Sequence, residues 1–244
     1  YTVKLKPNLT WQDGQPLTAK DVVFTYQSIQ NPDAQSPLAA SWQGITVARK
    51  DTYTITFSLP NPLSSFPYNL TNGIVPEHLL ASVPPSDLRS ADFNTVNPVG
   101  SGPFKWSALQ ASGTTPDDAQ VQIALVPFKH YYDGAPKLDS FVVHGFASQN
   151  QLMDSIRKQQ LTAAVGVQNV PPDIAADKSL SRYDLMLTAA NMVFFNTSTG
   201  LLADTQIRQA LVQAAEPSAI MARLGYATRP VREPLRQGQL AYHP

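Results

Sequence analysis

Apolar and polar residues alternate at both ends of a stretch running from Tyr1 to Leu59. Tyr1, Val3 and Leu5 fall on one face, with Thr2, Lys4 and Lys6 on the other, as in a half-buried strand that Pro7 stops. Tyr53, Ile55, Phe57 and Leu59 alternate with Thr52, Thr54, Thr56 and Ser58. This is the cleanest period-two pattern in the chain, and it predicts the second arm of a hairpin over 44–59. Between these strands the period changes. Asp13-Gly14 is a turn dipeptide, and Thr18-Ala-Lys-Asp21 has capping-box spacing with a shortened acid. Val22, Tyr26 and Ile29 then recur at helical spacing until Asn31-Pro32.

Farther along, Pro76 to Leu80 predicts a short helix opened by proline, and 86–93 a second. Gly100-Ser-Gly-Pro-Phe104 leads into a strand over 104–109. The turn-rich loop 112–118 and alternating Val121, Ile123 and Leu125 give its return strand. Phe141 to Val143 is a β-branched apolar run that reads as a strand. A helix follows over 148–160, with Ser148 and Gln151 at capping-box spacing. Strands are expected at 161–167, 182–188 and 192–196. Asp204 caps a helix carrying Ile207, Leu211 and Ala214, and Pro217 opens a last helix that Gly225 closes. Residues 226–244 read as coil. Irregular alternation of strands, hairpins and helices points to a mixed-sheet α/β fold rather than a barrel or bundle.

Composition narrows the function classes. The 244 residues carry 18 Lys+Arg against 18 Asp+Glu, a net charge of zero, and 43% are apolar. That combination excludes wholesale disorder and argues against a basic nucleic-acid binder. No apolar run is long enough to span a bilayer. The chain opens abruptly in a strand at Tyr1, as expected of a processed or truncated start. Cysteine is absent, which removes disulfides, thiolate zinc sites and thiol nucleophiles from this segment. The 21 prolines are dispersed and punctuate loops.

Candidate chemistry is sparse. His78, His130, His144 and His243 show no metal-binding spacing. Ser101 lies in Gly100-Ser-Gly102, but Pro103 stands where a nucleophile elbow needs a helix start. The Lys-Ser/Thr of a phosphate loop is missing too. That stretch reads as a tight turn whose backbone passes close to another element. Asp117-Asp118 reads as a solvated turn, and the Asn8, Asn69 and Asn196 triplets match a glycosylation pattern relevant only to a eukaryotic secretory route. Trp11, Trp42 and Trp106 are assigned to packing by default, with ligand contact as the alternative. Physics alone gives a globular segment without a catalytic constellation.

The order of five segments adds specificity. Tyr1 to Phe24, containing Trp11-Gln-Asp-Gly14 and Leu17-Thr-Ala-Lys-Asp-Val-Val-Phe24, resembles a stretch of the extracytoplasmic solute-binding proteins of family 5. These are the oligopeptide-, dipeptide- and nickel-binding components of ABC importers. Val75-Pro-Glu-His-Leu-Leu80, Asn97-Pro-Val-Gly-Ser-Gly-Pro-Phe104, Phe128 to Asp139, and Phe194-Phe-Asn-Thr197 followed by Asp204 to Leu211 resemble further family segments in the family's order.

The resemblance implies a periplasmic-binding-protein type II-like fold of which this sequence holds part of a two-lobe architecture. Residues 1–96 would form a small subdomain attached to lobe one. Residues 97–190 would give central strands of lobe one, and residues 191–244 the hinge crossover and the start of lobe two. The implied function is capture of peptides in a cleft without chemistry, with no catalytic residue, metal or cofactor. The implied partners are a peptide or other small solute and the ABC permease subunits, with no nucleic acid. The implied location is extracytoplasmic, touching the membrane only through a lipid anchor outside this segment. The ligand-facing candidates are Leu38, where relatives carry Ser-Pro-Tyr, and Phe195 and Asn196 at the crossover. Leu38 keeps an apolar wall without the tyrosine hydroxyl. The alternatives are the sensing domain of a cytoplasmic transcription regulator, and a hydrolase.

Overall fold

The computed structural model describes residues 1–167, 169–183, 192–198 and 200–224. The chain divides into two compact units, Tyr1–Ala147 and Ser148–Pro244.

The first unit opens with β1 (Thr2–Lys4), α1 (Ala19–Gln30), α2 (Ala39–Trp42), β2 (Thr46–Arg49) and β3 (Thr54–Ser58). The strands pair antiparallel in the order β1-β3-β2. Register places Val3 opposite Ile55 and Val47 opposite Phe57, so the alternation seen in the sequence puts one apolar row against α1. Thr18 caps α1 as expected: its hydroxyl accepts from Lys20 N at 3.2 Å, and Asp21 accepts from Thr18 N at 2.8 Å. Ala19, Val22 and Tyr26 pack on Ile55 and Phe57, with Trp42 and Phe66 closing the core. The rings form one cluster, Tyr26 at 3.9 Å from Trp42 and Phe57 at 5.5 Å from Phe66. Each such ring removed from water contributes about 1.5–3 kcal/mol. Trp11 and Trp42 are thus packing residues, both essentially without exposure.

The unit continues with α3 (Glu77–Leu80), α4 (Asp92–Thr95), β4 (Phe104–Ser112), β5 (Gln120–Pro127) and β6 (Phe141–Phe146). The last three form an antiparallel sheet in sequence order, with an irregularity between Trp106 and Ala108. Cross-strand partners align Leu109, Ile123 and Val143 in one row and Trp106, Leu125 and Phe141 in the next. The β4–β5 loop is closed by Asp118, which accepts from the backbone N–H and hydroxyl of both Thr114 and Thr115. Asp118 is therefore a turn carboxylate. The Thr115 bonds hold it below the ordinary value.

In the second unit α5 (Gln149–Arg157) starts on the expected Ser148–Gln151 capping box and buries Met153. It is followed by α6 (Pro172–Ala175), α7 (Thr205–Ala214) and α8 (Pro217–Ala222). Arg157 grips Asp173 at 2.7 and 3.3 Å, and Asp204 caps α7 through Gln206 N at 2.7 Å.

Two expected strands are corrected. Residues 161–167 and 192–196 are irregular. Both runs are short, Gly166 turns left-handed at φ +76° and ends the first, and the sheets formed by the described residues leave neither run a neighbour. Residues 184–188 of the third expected strand, Gly225 and the coil 226–244 lie outside the described residues. The sequence pattern missed α2, a single turn with too few residues to show a period.

Candidate functional site

Two family-like segments, 90 residues apart in sequence, meet through one side chain. Gln12 follows buried Trp11 on the Asp13-Gly14 turn. Gly14 at φ +92° lets that turn close with its N–H on Trp11 O at 2.9 Å. From there Gln12 reaches the strap Gly100–Phe104 that leads into β4. Its Oε1 accepts from Gly100 N at 3.0 Å, and its Nε2 donates to Gly102 O at 3.0 Å and Phe104 O at 2.8 Å. Its own N–H donates to Gly100 O at 2.9 Å. The expected close passage of the glycine strap is thus against Gln12: a Cβ on Gly100 would lie 3.5 Å from Gln12 Oε1, ordinary contact.

A second junction centres on Asp21, buried at 4% exposure on the first turn of α1. A buried carboxylate is tolerated only when its oxygens are satisfied. Here Oδ1 accepts from Trp11 Nε1 at 3.3 Å and Glu77 N at 3.0 Å, while Oδ2 accepts from Thr18 N and, at 3.3 Å, Thr18 Oγ1. One turn on, Thr25 Oγ1 donates to Asp21 O at 2.8 Å and accepts from Val75 N at 3.0 Å. The tryptophan turn, α1 and the approach to α3 are therefore one polar network.

At its partly exposed edge, His78 Nε2 lies 2.8 Å from Asp13 Oδ2, and Lys20 pairs with Glu77 at 2.9 Å. Burial pulls the Asp13 carboxyl upward. The His78 hydrogen bond, the Gln15 N–H and the His78 charge outweigh it and leave the group below its ordinary value.

The predicted ligand residues lie in different units. Leu38 precedes α2 in the first, 39% exposed, with its N–H on Ser36 Oγ at 3.3 Å. Beside it runs an open groove of about 400 Å³ lined by Gln30, Pro32, Ala39, Ala40, Trp42 and Gly44, among others. Phe195 is half-buried and Asn196 exposed in the second unit, where Asn196 Oδ1 accepts from Ser198 N at 3.0 Å. Among the described residues no group of three His, Asp or Glu side chains could hold a metal ion. No described helix is long and apolar enough to cross a membrane. Ser101 is exposed on the Gln12-bound strap, and His243 lies outside the described residues.

The sequence singled out Asp21 only as a local cap and did not single out Gln12. The signal for Asp21 was its place three residues after Thr18. For Gln12, whose partners are about 90 positions away, the sequence offers none.

Similarity to known proteins follows the same segments. The profile of the bacterial extracellular solute-binding proteins, family 5 (middle region), matches residues 1–243. A protein of Brucella ovis, assigned by name to ABC-transporter peptide binding, is 30% identical over 233 residues, 94% of this chain and 42% of its own length. The oligopeptide-binding protein AppA of Bacillus subtilis is 27% identical over 234 residues, 92% of this chain and 40% of its own. AppA's structure with a nonapeptide superposes at a TM-score of 0.58, with 29% identity over 66% of this chain and 31% of AppA. NikZ of Campylobacter jejuni, solved with Ni(L-His), is 22% identical. It shares the fold alone, at a TM-score of 0.66 over 92% of this chain and 43% of NikZ. The chain thus spans about two fifths of the length of these curated relatives. With the α/β architecture matched to solved binding proteins and the profile covering all but the last residue, the chain belongs to the bacterial extracellular solute-binding proteins, family 5.

Proposed function

We propose that this chain is part of the solute-binding component of an ABC importer, which captures peptides between the two lobes of the whole protein and releases them unaltered to the permease subunits. The observation that carries the reading is family membership over residues 1–243, joined to relatives named for peptide binding. The fold suits the task. A binding protein needs stiff walls and a hinge, not a nucleophile, and the first unit is tied internally by the Gln12 and Asp21 networks.

Within this reading, residues 1–96 are the small subdomain of lobe one, residues 97–190 supply its central strands, and residues 191–244 form the crossover into lobe two. Leu38 gives an apolar wall, and Phe195 and Asn196 offer a ring and an amide to the solute. Peptide ligands suit such a site, since backbone groups can be read while roomy pockets accept many side chains. The protein works outside the cytoplasm, in the periplasm or lipid-anchored on the outer face of the membrane, and carries no catalytic activity.

Calorimetric titration of the full-length protein with peptide pools, nickel–histidine and oligosaccharides tests the proposal. Heat with peptides alone is the expected result. Binding of nickel–histidine or oligosaccharide in place of peptides would replace the ligand class, and silence in every arm would end the solute-binding reading.

A further inference from the structure

We propose that Gln12 is a positioning residue, the latch that makes the β1-β3-β2 sheet with α1 and the β4-β5-β6 sheet one mechanical body. This goes beyond solute binding and is tested without any ligand, so its failure leaves the proposed function untouched, and the converse also holds.

Gly100–Pro103 is irregular and lies ahead of the ladder that begins at Phe104; Pro103 O accepts from Phe128 N at 2.8 Å, while Gly100 and Gly102 precede any strand partner. Gln12 supplies what a neighbouring strand would. Its main-chain N–H and its side-chain carboxamide take Gly100 O, Gly100 N, Gly102 O and Phe104 O, at 2.8 to 3.0 Å. A carboxamide offers an acceptor and a two-proton donor on one planar group, so one side chain meets both kinds of demand. The latch is anchored at its root. Trp11 is fully buried, and Trp11 Nε1 is held by Asp21 on α1. The strap in turn runs straight into β4, whose Phe104 pairs with Pro127. A peripheral contact also joins these parts: Lys6 Nζ stands 4.3 Å over the Tyr132 ring. That contact is solvent-exposed and replaceable.

Chemistry separates a latch from a space-filler. Gln12→Glu keeps the shape and the acceptor for Gly100 N but replaces the donor with an acceptor oxygen set against the carbonyl oxygens of Gly102 and Phe104. Protonation would return one donor to that oxygen. Asp13, next in sequence and paired with His78 at 2.8 Å, would repel the introduced carboxylate, so the Gln12→Glu deficit is also read on an Asp13→Asn background, where that repulsion is absent. Gln12→Ala removes all three side-chain bonds.

The test is amide hydrogen exchange and thermal unfolding of the full-length protein, wild type against both variants, with Ile55→Ala as a control that weakens the first core away from the strap. The expected result is exchange of the Gly100, Ser101, Gly102 and Phe104 amides faster by roughly tenfold or more in both variants, because each variant loses the bonds to Gly102 O and Phe104 O that hold the strap in place. The β3 amides at 54–58 should keep wild-type protection. The Gln12→Glu deficit in melting temperature should narrow as pH falls from 7 to 4, and Gln12→Ala should show no such recovery. Unchanged strap exchange in both variants, strap and β3 exchange rising together as in Ile55→Ala, or a Gln12→Glu deficit independent of pH would each overturn the proposal.

Discussion

Asp21 Oδ1 and the backbone N–H of Glu77 lie 3.0 Å apart across 56 residues of chain. The same oxygen takes the Trp11 indole. A residue that reads locally as an imperfect helix cap is in fact the meeting point of three segments.

Asp21→Asn replaces an acceptor that serves Trp11 and Glu77, or Thr18, with a donor that faces other donors. Leaving buried N–H groups without partners costs about 1–3 kcal/mol, and more when the lost group is charged. Urea unfolding should show a loss of about 2–4 kcal/mol, against about 0.5–1.5 kcal/mol for Ile55→Val in the neighbouring core.

Acid should weaken the Asp13–His78 link. The folded-state value of Asp13 lies below its ordinary 3.8, so the carboxylate contributes stability that is fully present above 3.8 and is lost as pH falls through the lower folded value. Compared with Asp13→Asn, the wild type should be more stable at pH 5–6 and lose that advantage below about pH 4. Parallel melting curves across pH measure the gap; a gap that widens on acidification contradicts the assigned sign.

Gly113 closes the β4–β5 loop at φ +101°, and a Cβ there would stand 2.6 Å from Asp118 O. Gly113→Ala should therefore cost about 1–3 kcal/mol through backbone strain and displacement of Asp118. Gly134, also left-handed but open to solvent, is the comparison: alanine there meets no atom within 4 Å and should cost less. Chemical denaturation of the two variants side by side separates steric conflict from conformational preference.

Under the proposed peptide-binding role, Leu38→Asp should lower the affinity for the peptide that binds best by roughly five- to thirtyfold, the equivalent of about 1–2 kcal/mol of lost apolar contact. Leu38 is already 39% exposed, so the melting temperature should hardly move. Unaltered calorimetric affinity would remove Leu38 from the ligand wall.

Where local pattern decides structure, the sequence was sufficient. The alternation around Ile55 and Phe57 led directly to β3, and Thr18–Asp21 and Ser148–Gln151 both became real capping boxes. Short runs were misread, because residues 161–167 and 192–196 have strand-like composition but, among the described residues, no strand that pairs with them. The ligand candidates rested on family resemblance, since Leu38, Phe195 and Asn196 sit in coil or at a helix edge, where no period marks them. Gln12 was invisible for a different reason. A lone glutamine in a turn is compositionally ordinary, and only the folded chain brings Phe104 to it.

The hydroxyl of Thr25 and the carboxylate of Asp21 stand one turn apart on the buried side of α1, and each fixes a main-chain amide, Val75 and Glu77 respectively. A helix seated by oily contacts alone can rotate or slip by a residue at little penalty. This one is indexed, because any such slip would strand two amides at once. A change of volume at Val22 or Tyr26 still costs packing, but the two amide bonds keep the axial setting of the helix while its neighbours adjust, so the geometry it presents is held separately from its core.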